Sequence, residues 1–294
     1  MTIRSNHSNA TCHCAAVEHF RRVAADCLAL FFVCGDVHSG PVLLLLDIGN
    51  THTHVAVADG KALVRPRNFR TEEWLDQRLP QRILRQLGRL VVTDAALCSV
   101  VPDATLQAGS FIERTWGVTP FQLNSATVRG IGIDYPRPTT IGADRLANAV
   151  AARERSGAPV VVVDFGTAVT FDVVNGSGNY VGGIIAPGLE MMTSYLHEKT
   201  ALLPKVKIRD VGGVIGKSTE DAMLIGAVHG YRGLIRELLH KLKTELKCRK
   251  LPVVATGGYA ELMARELPEI CAVDPLLTLK GLRLARMLAR GAGS

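Results

Sequence analysis

Two segments of this chain carry the same short pattern, in which four β-forming residues lead to an Asp and then, after one residue, a Gly. The copies lie at residues 43–51 and 160–170, and their carboxylates are Asp47 and Asp164. A carboxylate at the end of a buried strand is better suited to hold a cation or an ordered water than a phosphate. The glycine allows a tight turn through which a phosphate can approach the main chain. Two matched copies indicate two homologous half-domains that face each other across a nucleotide-binding cleft.

The residues that follow each copy exclude the best-known phosphate-binding loop. A P-loop requires Gly-Lys-Ser/Thr and then a helix. Here residues 53–60 alternate and end in Asp-Gly, a strong hairpin signal, and residues 171–178 form another strand and turn. We therefore predict that phosphates are held in β-hairpin turns, as in the actin, hexokinase and Hsp70 superfamily. The alternative for each copy is an ordinary strand-to-turn transition, which two matched copies make the weaker interpretation.

The rest of the pattern predicts an α/β protein built of duplicated actin-like, ribonuclease H-like ATPase domains with a cleft between them. We expect the first half-domain at residues 42–155 and the second at residues 156–294. Apolar spacing predicts helices at residues 72–87 with a break at Pro80, at 104–115, 142–153, 219–246 and 276–288, and one from Leu189. Candidate core residues in these helices include Leu106 and Leu196.

Residues 1–41 precede the strand that opens the fold, and we expect this extension to be dispensable. Four of the seven cysteines lie there, but their odd number and irregular spacing argue against a disulfide framework. A zinc site is disfavoured because Cys12-x-Cys14 lacks the usual two-residue gap. A signal peptide is disfavoured because Asp26 interrupts the apolar run and no clear cleavage site follows. We therefore expect a cytoplasmic protein.

Composition argues against two classes of partner. No apolar run approaches the ~20 residues that span a bilayer. The formal charge of +7 is scattered along the chain, aromatic residues make up only 5%, and no nucleic-acid-binding motif occurs. A solvated basic surface that also attracts anionic nucleotides is the better interpretation, so we expect no membrane and no nucleic acid as partners.

Five segments, in order along the chain, resemble the type III pantothenate kinases, which open coenzyme A synthesis and are related to the Bvg accessory factors. The segments are Asp47-Ile48-Gly49-Asn50-Thr51, Ser99-Val100-Val101-Pro102, Gly142-Ala143-Asp144-Arg145, Asp164-Phe165-Gly166-Thr167-Ala168-Val169-Thr170 and Gly183-Ile184-Ile185-Ala186-Pro187-Gly188. The resemblance covers about residues 43–289, and the third and fourth segments together are specific to this family. The chain departs from the family at His52-Thr53-His54 and in its N-terminal extension.

This resemblance implies a role for each matched residue. The ATP-phosphate loop would comprise Asp47, Ile48, Gly49, Asn50, Thr51, His52, Thr53 and His54, with Asp47 organising Mg²⁺. Asp164 would bind K⁺ or NH₄⁺, and Thr167 would contact an ATP phosphate. Asp144 would be the general base. The implied pantothenate contacts are Tyr135, Gly142, Ala143, Asp144 and Arg145, with Thr219 contributed by the neighbouring subunit of a homodimer.

The chemistry of these residues is consistent with that assignment. A hydroxyl that attacks the γ-phosphate of ATP needs in-line positioning, charge neutralisation and a proton acceptor. Asp144 can accept the proton, and the planar guanidinium of Arg145 suits a substrate carboxylate. Each residue also has a purely structural alternative. Asp144 could be a helix cap or a first-turn acid, and Thr219 could be a helix cap. Arg145 could form a surface ion pair, and Tyr135 could be a half-buried loop aromatic.

Two other classes of function stay open on the same fold. A regulatory accessory factor could bind nucleotide without turnover, although the intact carboxylates argue against lost catalysis. Another superfamily kinase or phosphatase, acting on a sugar or acyl phosphate, is disfavoured only by Tyr135 and residues 142–145. Separately, Ala222, Gly226 and Gly230 give one helix a small-residue edge that predicts close packing inside the subunit or at a dimer contact.

Overall fold

Two sheets with the same core strand order form the framework of the computed structural model, which describes residues 42–291. The first sheet has the order β3-β2-β1-β4-β5, with β1 (Val42–Ile48), β2 (His52–Asp59), β3 (Ala62–Arg70), β4 (Val92–Ser99) and β5 (Phe121–Gln122). The second has the order β11-β10-β7-β8-β9-β6, with β6 (Gly132–Ile133), β7 (Val160–Phe165), β8 (Ala168–Val174), β9 (Asn179–Pro187), β10 (Val253–Thr256) and β11 (Ala272–Val273). The predictions for residues 1–41 concern residues outside the described range.

The two sheets repeat the same pairing around their central strands. β1 pairs antiparallel with β2 and parallel with β4, and β7 pairs antiparallel with β8 and parallel with β10. The central strands are apolar and largely buried, as a strand covered on both faces must be. In register, Asp47 lies opposite Cys98, and Asp164 lies opposite Thr256. The predicted α/β class and its duplicated strand–hairpin unit are confirmed.

Helices connect the strands and cover the sheets. They are α1 (Glu72–Leu75), α2 (Leu79–Leu87), α3 (Pro102–Trp116), α4 (Ala143–Ser156), α5 (Leu189–Lys199), α6 (Thr219–Glu245), α7 (Ala260–Ala264) and α8 (Leu277–Gly291). The predicted break near Pro80 falls at residues 76–78, because Pro80 occupies the first turn of α2, where no N–H is needed. None of the helices within residues 42–291 has the length and apolar character that crossing a membrane requires.

Two residues predicted to lie in the core are exposed. Leu106 is 72% exposed, because Ala104, Ala108 and Phe111 form the buried face of α3. Leu196 is 40% exposed on α5, although Leu189 at the start of that helix is buried. Helical spacing alone therefore did not identify which face of these helices meets the sheet.

The helices α4 and α8 lie between the two sheets and pack on each other. α4 contacts β7 and β8 of the second sheet, whereas α8, at the end of the chain, returns to β1, β2 and β4 of the first. Gly281 permits the close approach, since a Cβ there would overlap the carbonyl of Ala147. Arg286 attaches α8 to the first sheet through three hydrogen bonds, of 2.9, 3.0 and 3.2 Å, to the two carboxylate oxygens of buried Asp94. The half-domain boundary at residues 155–156 stays a prediction.

Candidate active site

The loop after β1 meets the equivalent loop after β7. Thr51 Oγ1 lies 3.0 Å from Thr167 Oγ1, and both residues are exposed. The first loop is shaped by its own main chain, because the N–H of Gly49 donates to the carbonyl of His52 over 2.9 Å. The hydroxyl of Thr71 donates to the carbonyl of Gly49 over 2.7 Å. The two hairpin turns predicted to hold phosphates therefore face the same space.

Three carboxylates lie close enough to interact electrostatically: Asp47 near the end of β1, Asp164 near the end of β7 and Asp144 in the first turn of α4. Burial, with the charges of Asp144 and Asp164 added, raises the pKa of Asp47 to about 8. Burial also raises the pKa of Asp164 to about 6, against the hydrogen bond from the Asn148 amide, which lowers it. Mutual repulsion of this kind is relieved when a cation binds between the groups.

The donor set fits a hard cation. Carboxylate and hydroxyl oxygens, here from Asp47, Asp164 and the loop threonines, are the ligands that Mg²⁺ and similar ions prefer. Within residues 42–291, no three Asp, Glu, His or Cys side chains come close enough to hold a metal ion on their own. An ion at this place would therefore complete its coordination with phosphate oxygens or water, as Mg²⁺ commonly does.

Asp144 is held by the start of its helix. Gly142 is the N-cap residue of α4, so Asp144 is a first-turn residue and not the cap. Its Oδ1 accepts the N–H of Arg145 over 2.8 Å. A Cβ on residue 142 would lie 2.5 Å from that oxygen, which explains the glycine. Burial raises the pKa of Asp144, although the N–H and the charge of Arg145 lower it, so the carboxylate is a stronger proton acceptor than an exposed Asp.

Arg145 forms a buried ion pair, so the surface-pair alternative is wrong. Its Nε donates to Asp172 Oδ1 over 2.5 Å, and its Nη2 donates to the carbonyl of Phe171 over 3.0 Å. The side chain of Asp172 is fully buried and that of Arg145 is 16% exposed. Although burial opposes it, the Asp172 carboxylate raises the pKa of Arg145, which keeps the guanidinium charged. Sequence reasoning missed Asp172, whose only signal was a charged residue within an apolar strand.

Two tyrosines extend this group. The guanidinium carbon of Arg145 lies 5.8 Å from the ring centroid of Tyr180. The Tyr180 ring meets Tyr135 edge-on, with 6.2 Å between ring centroids. Tyr135 is 36% exposed, and a Cβ on Gly182 would lie 3.2 Å from its ring. Tyr135 is thus placed beside Arg145 by way of Tyr180.

The other residues of the predicted ATP loop differ in what their side chains can reach. The Ile48 side chain is buried in the core, and the Thr53 hydroxyl is buried between Thr71 and Trp74, with hydrogen bonds of 3.1 and 3.2 Å. These two residues can offer a phosphate only their main chain. Asn50 and His52 are exposed, and His54 Nδ1 lies 2.7 Å from Asn68 Oδ1.

Thr219 does not contact this cluster within the described part of the chain. It is the exposed first residue of α6. The cap of α6 is Ser218, whose hydroxyl accepts the N–H of Asp221 over 3.1 Å. The alternative in which Thr219 caps the helix is therefore wrong.

A cavity of about 310 Å³ opens beside the start of α4. Gly142 and Ala143 line it, together with polar residues that include Ser99, Asn124 and Thr139. Two predicted pantothenate contacts thus border a concave surface, whereas Tyr135 and Arg145 are not among its lining residues.

Comparisons with known proteins found a matching family and several similar chains. A model of the family described as type III pantothenate kinase matches residues 43–241. Type III pantothenate kinases of Akkermansia muciniphila and Methylacidiphilum infernorum are 47% and 45% identical to this chain, over 82% of it and over 97% and 87% of their own lengths.

Two solved structures share the fold. A Baf family transcriptional activator from Campylobacter jejuni has a TM-score of 0.51 and 18% identity, over 85% of this chain and 100% of its own. Component A of the (R)-2-hydroxyglutaryl-CoA dehydratase of Acidaminococcus fermentans has a TM-score of 0.50 and 13% identity, over 87% of this chain and 100% of its own. At these identities the likeness concerns the fold alone.

Proposed function

The chain belongs to the type III pantothenate kinase family, and we propose that Asp47, Asp144 and Asp164 divide the tasks of phosphoryl transfer between them. The reaction of the family is the ATP-dependent phosphorylation of pantothenate in coenzyme A biosynthesis, and this chain is a phosphotransferase of that kind. The observation that carries the division of tasks is the meeting of three half-buried carboxylates at two touching hairpin loops.

The two loops bind the phosphates of ATP. Thr51 and Thr167 offer hydroxyls from opposite sides of one space, and the main chain at Gly49 offers a tight turn. Asp47 would hold Mg²⁺ and Asp164 would hold K⁺ or NH₄⁺, and these cations supply the neutralising charge that a lysine supplies in a P-loop. The positive charge would in turn offset the burial, and the smaller contribution of mutual repulsion, that raise the pKa values of these carboxylates in the ligand-free protein.

Asp144 receives the proton of the attacking hydroxyl. The hydroxyl oxygen of pantothenate bonds to the γ-phosphorus as the bond to the departing ADP oxygen breaks, and the proton passes to the Asp144 carboxylate. The N–H of Arg145 fixes Oδ1 of Asp144, so one carboxylate oxygen is held while the other stays available. The helix start thus positions the base by a main-chain contact.

Pantothenate lies against the start of α4 and the loop of Tyr135. Arg145 uses Nε and Nη2 within the protein, and its Nη1 makes no hydrogen bond with the described residues. That nitrogen remains for the carboxylate of the substrate. The main chain of Gly142 and Ala143 lines the adjoining cavity and Tyr135 covers one side.

A homodimer with shared sites completes the proposal, with Thr219 reaching the pantothenate site of the neighbouring subunit. Ala222, Gly226 and Gly230 lie on the exposed face of α6, and a Cβ at Gly226 would meet nothing within 4 Å. α5 packs on α6 and exposes apolar side chains, among them Tyr195 at 61%. An exposed apolar surface beside a small-residue helix edge is suited to a second copy of the chain.

The competing function is a nucleotide-binding accessory factor without turnover, for which the fold shared with a Baf family activator is the supporting observation. ATP consumption measured with and without pantothenate separates the two functions, and a panel of sugars and acyl phosphates tests other superfamily reactions.

The base assignment is tested by Asp144→Asn. We expect a folded protein that binds ATP normally but turns over at least ~10²-fold more slowly, the usual effect of losing a positioned proton acceptor. Asp103→Asn is a matched control, because Asp103 is an exposed first-turn acid on α3. Near-normal turnover with an unchanged pH profile would remove Asp144 from the role.

A further inference from the structure

Asn148 lies one helical turn after Asp144 on α4, so both side chains occupy the same side of that helix. Asn148 is 1% exposed, in a helix whose other buried residues are Leu, Val and Ala. A buried amide is costly unless its oxygen and nitrogen both find hydrogen-bond partners. Its two hydrogen-bond partners are Asp164 on β7 and Thr278 on α8, so the amide links three separate elements of the fold.

The amide nitrogen of Asn148 faces Asp164. Nδ2 donates to Asp164 Oδ2 over 3.1 Å. On the other side, the hydroxyl of Thr278 donates to Asn148 Oδ1 over 2.8 Å. A reversed amide would set Oδ1 against the carboxylate, so the two contacts specify one orientation of the amide.

The other oxygen of Asp164 faces two glycines. A Cβ at Gly257 would lie 2.6 Å from Asp164 Oδ1, and a Cβ at Gly166 would lie 3.6 Å from it. Oδ1 accepts no hydrogen bond from the residues at 42–291, whereas Oδ2 is occupied by Asn148. Because Gly166 and Gly257 have no side chains, the space beside Oδ1 stays open, and Oδ1 is the oxygen of Asp164 that a bound ion can approach.

We propose that Asn148, oriented by Thr278, is a positioning residue that holds Asp164 with Oδ1 directed toward the monovalent cation. The inference rests on the proposed function, in which Asp164 binds that cation. Thr278 lies on α8, 130 residues from Asn148 in the chain. The C-terminal helix thereby takes part in the cation site without touching the ion.

The test uses Thr278→Val, which removes the hydroxyl while keeping a β-branched side chain, and Thr278→Ser, which keeps the hydroxyl. Two quantities are measured for each full-length protein. One is the K⁺ concentration that gives half-maximal turnover with ATP, Mg²⁺ and pantothenate. The other is the shift in melting temperature that K⁺ produces in the presence of Mg²⁺ and a non-hydrolysable ATP analogue.

We expect Thr278→Val to raise the half-maximal K⁺ concentration about five- to tenfold, the range expected for the loss of one buried hydrogen bond. It should also reduce the K⁺-dependent melting shift, with the KM for pantothenate unchanged. Thr278→Ser should behave as the wild type. A loss of stability alone would lower every melting temperature without changing its dependence on K⁺.

Asn148→Ala gives a second route to the same conclusion. If Thr278 acts through Asn148, the double variant should respond to K⁺ no worse than Asn148→Ala alone. Additive effects, or a Thr278→Val protein with the K⁺ response of the wild type, would overturn the positioning role only. A wild-type protein that ignores K⁺ in both measurements would overturn the cation assignment of Asp164 and this inference with it.

Discussion

The hydroxyl oxygens of Thr51 and Thr167 are 3.0 Å apart, although the residues are separated by 116 positions in the chain. Each threonine follows a strand whose end carries a half-buried carboxylate, Asp47 in one copy and Asp164 in the other. The contact therefore joins the two duplicated units at the same point of their structure. In the proposed function, a phosphate chain bound to one loop would be within reach of the other, so we expect the loops to act as one binding surface.

Removal of the Thr167 hydroxyl should weaken ATP use without unfolding the protein. We expect Thr167→Val to raise the KM for ATP about fivefold, because one hydrogen bond is lost, and to leave the KM for pantothenate unchanged. Thr167 is exposed, so the melting temperature should change little. Thr167→Ser keeps the hydroxyl and is the control. Steady-state kinetics with each substrate varied decides the matter, and an unchanged KM for ATP in the Val variant would contradict the shared surface.

The half-buried carboxylates Asp47 and Asp164 should make the ligand-free protein less stable as the pH rises. The pKa values of Asp164 and Asp47 are raised from 3.8 to about 6 and about 8 by burial. The folded protein thus keeps protons that the unfolded chain releases. The stabilising contribution is complete below roughly pH 4 and is lost as the pH passes about 6 and then about 8.

We expect the melting temperature without nucleotide or metal to fall between roughly pH 4 and roughly pH 8, because the folded protein holds more protons than the unfolded chain only in that interval. Asp47→Asn should flatten the decrease in melting temperature between about pH 6 and about pH 8, because the asparagine side chain does not ionise. Scanning calorimetry of the two proteins across this range makes the comparison. Identical profiles would show that Asp47 does not titrate there.

Residues in repeated local patterns could be placed from the sequence. Asp47 and Asp164 each end an apolar run, and the Asp-Gly pair near residue 60 predicts the turn that joins β2 to β3. The geometry of a strand and its turn is local, so neighbouring residues carry enough information to specify it.

Contacts between distant elements could not be placed in that way. Asp172 meets Arg145 through the packing of α4 on β8, and Asn148 meets Thr278 across 130 residues. Leu106 was assigned to the core although Ala104 and Ala108, smaller but correctly spaced, define the buried face of α3. The face of a helix that becomes buried depends on how the helix packs on its neighbours, and the apolar spacing within one helix does not specify that packing.

Disruption of the Arg145–Asp172 pair should affect both stability and pantothenate use. Asp172→Asn leaves the guanidinium largely buried without its counter-charge, which typically costs about 3 kcal/mol or more. We expect a lower melting temperature and a higher KM for pantothenate, with the KM for ATP little changed, because the guanidinium no longer has a fixed position.

Asp274→Asn is the matched control for this change. Asp274 is buried like Asp172, and it pairs with Lys280 over 2.6 Å at a different place. That variant should lose stability but keep the KM for pantothenate. An equal rise of KM in both variants would assign the effect of Asp172→Asn to general destabilisation.

The dimer proposal is tested by Gly226→Leu, because we expect an isolated subunit to tolerate the substitution. Gly226 is exposed on α6, a Cβ there meets nothing within 4 Å, and leucine favours a helix more than glycine does. At a two-fold contact the same leucine would enter twice, and overpacking of this kind costs about 1–3 kcal/mol at each position. We expect sedimentation at assay concentration to show a shift from dimer to monomer, with the KM for pantothenate raised more than the KM for ATP.

Gly109→Leu on α3 is the control, since a Cβ there also meets nothing within 4 Å. A fully active wild-type monomer would end the shared-site proposal, and with it the role of Thr219.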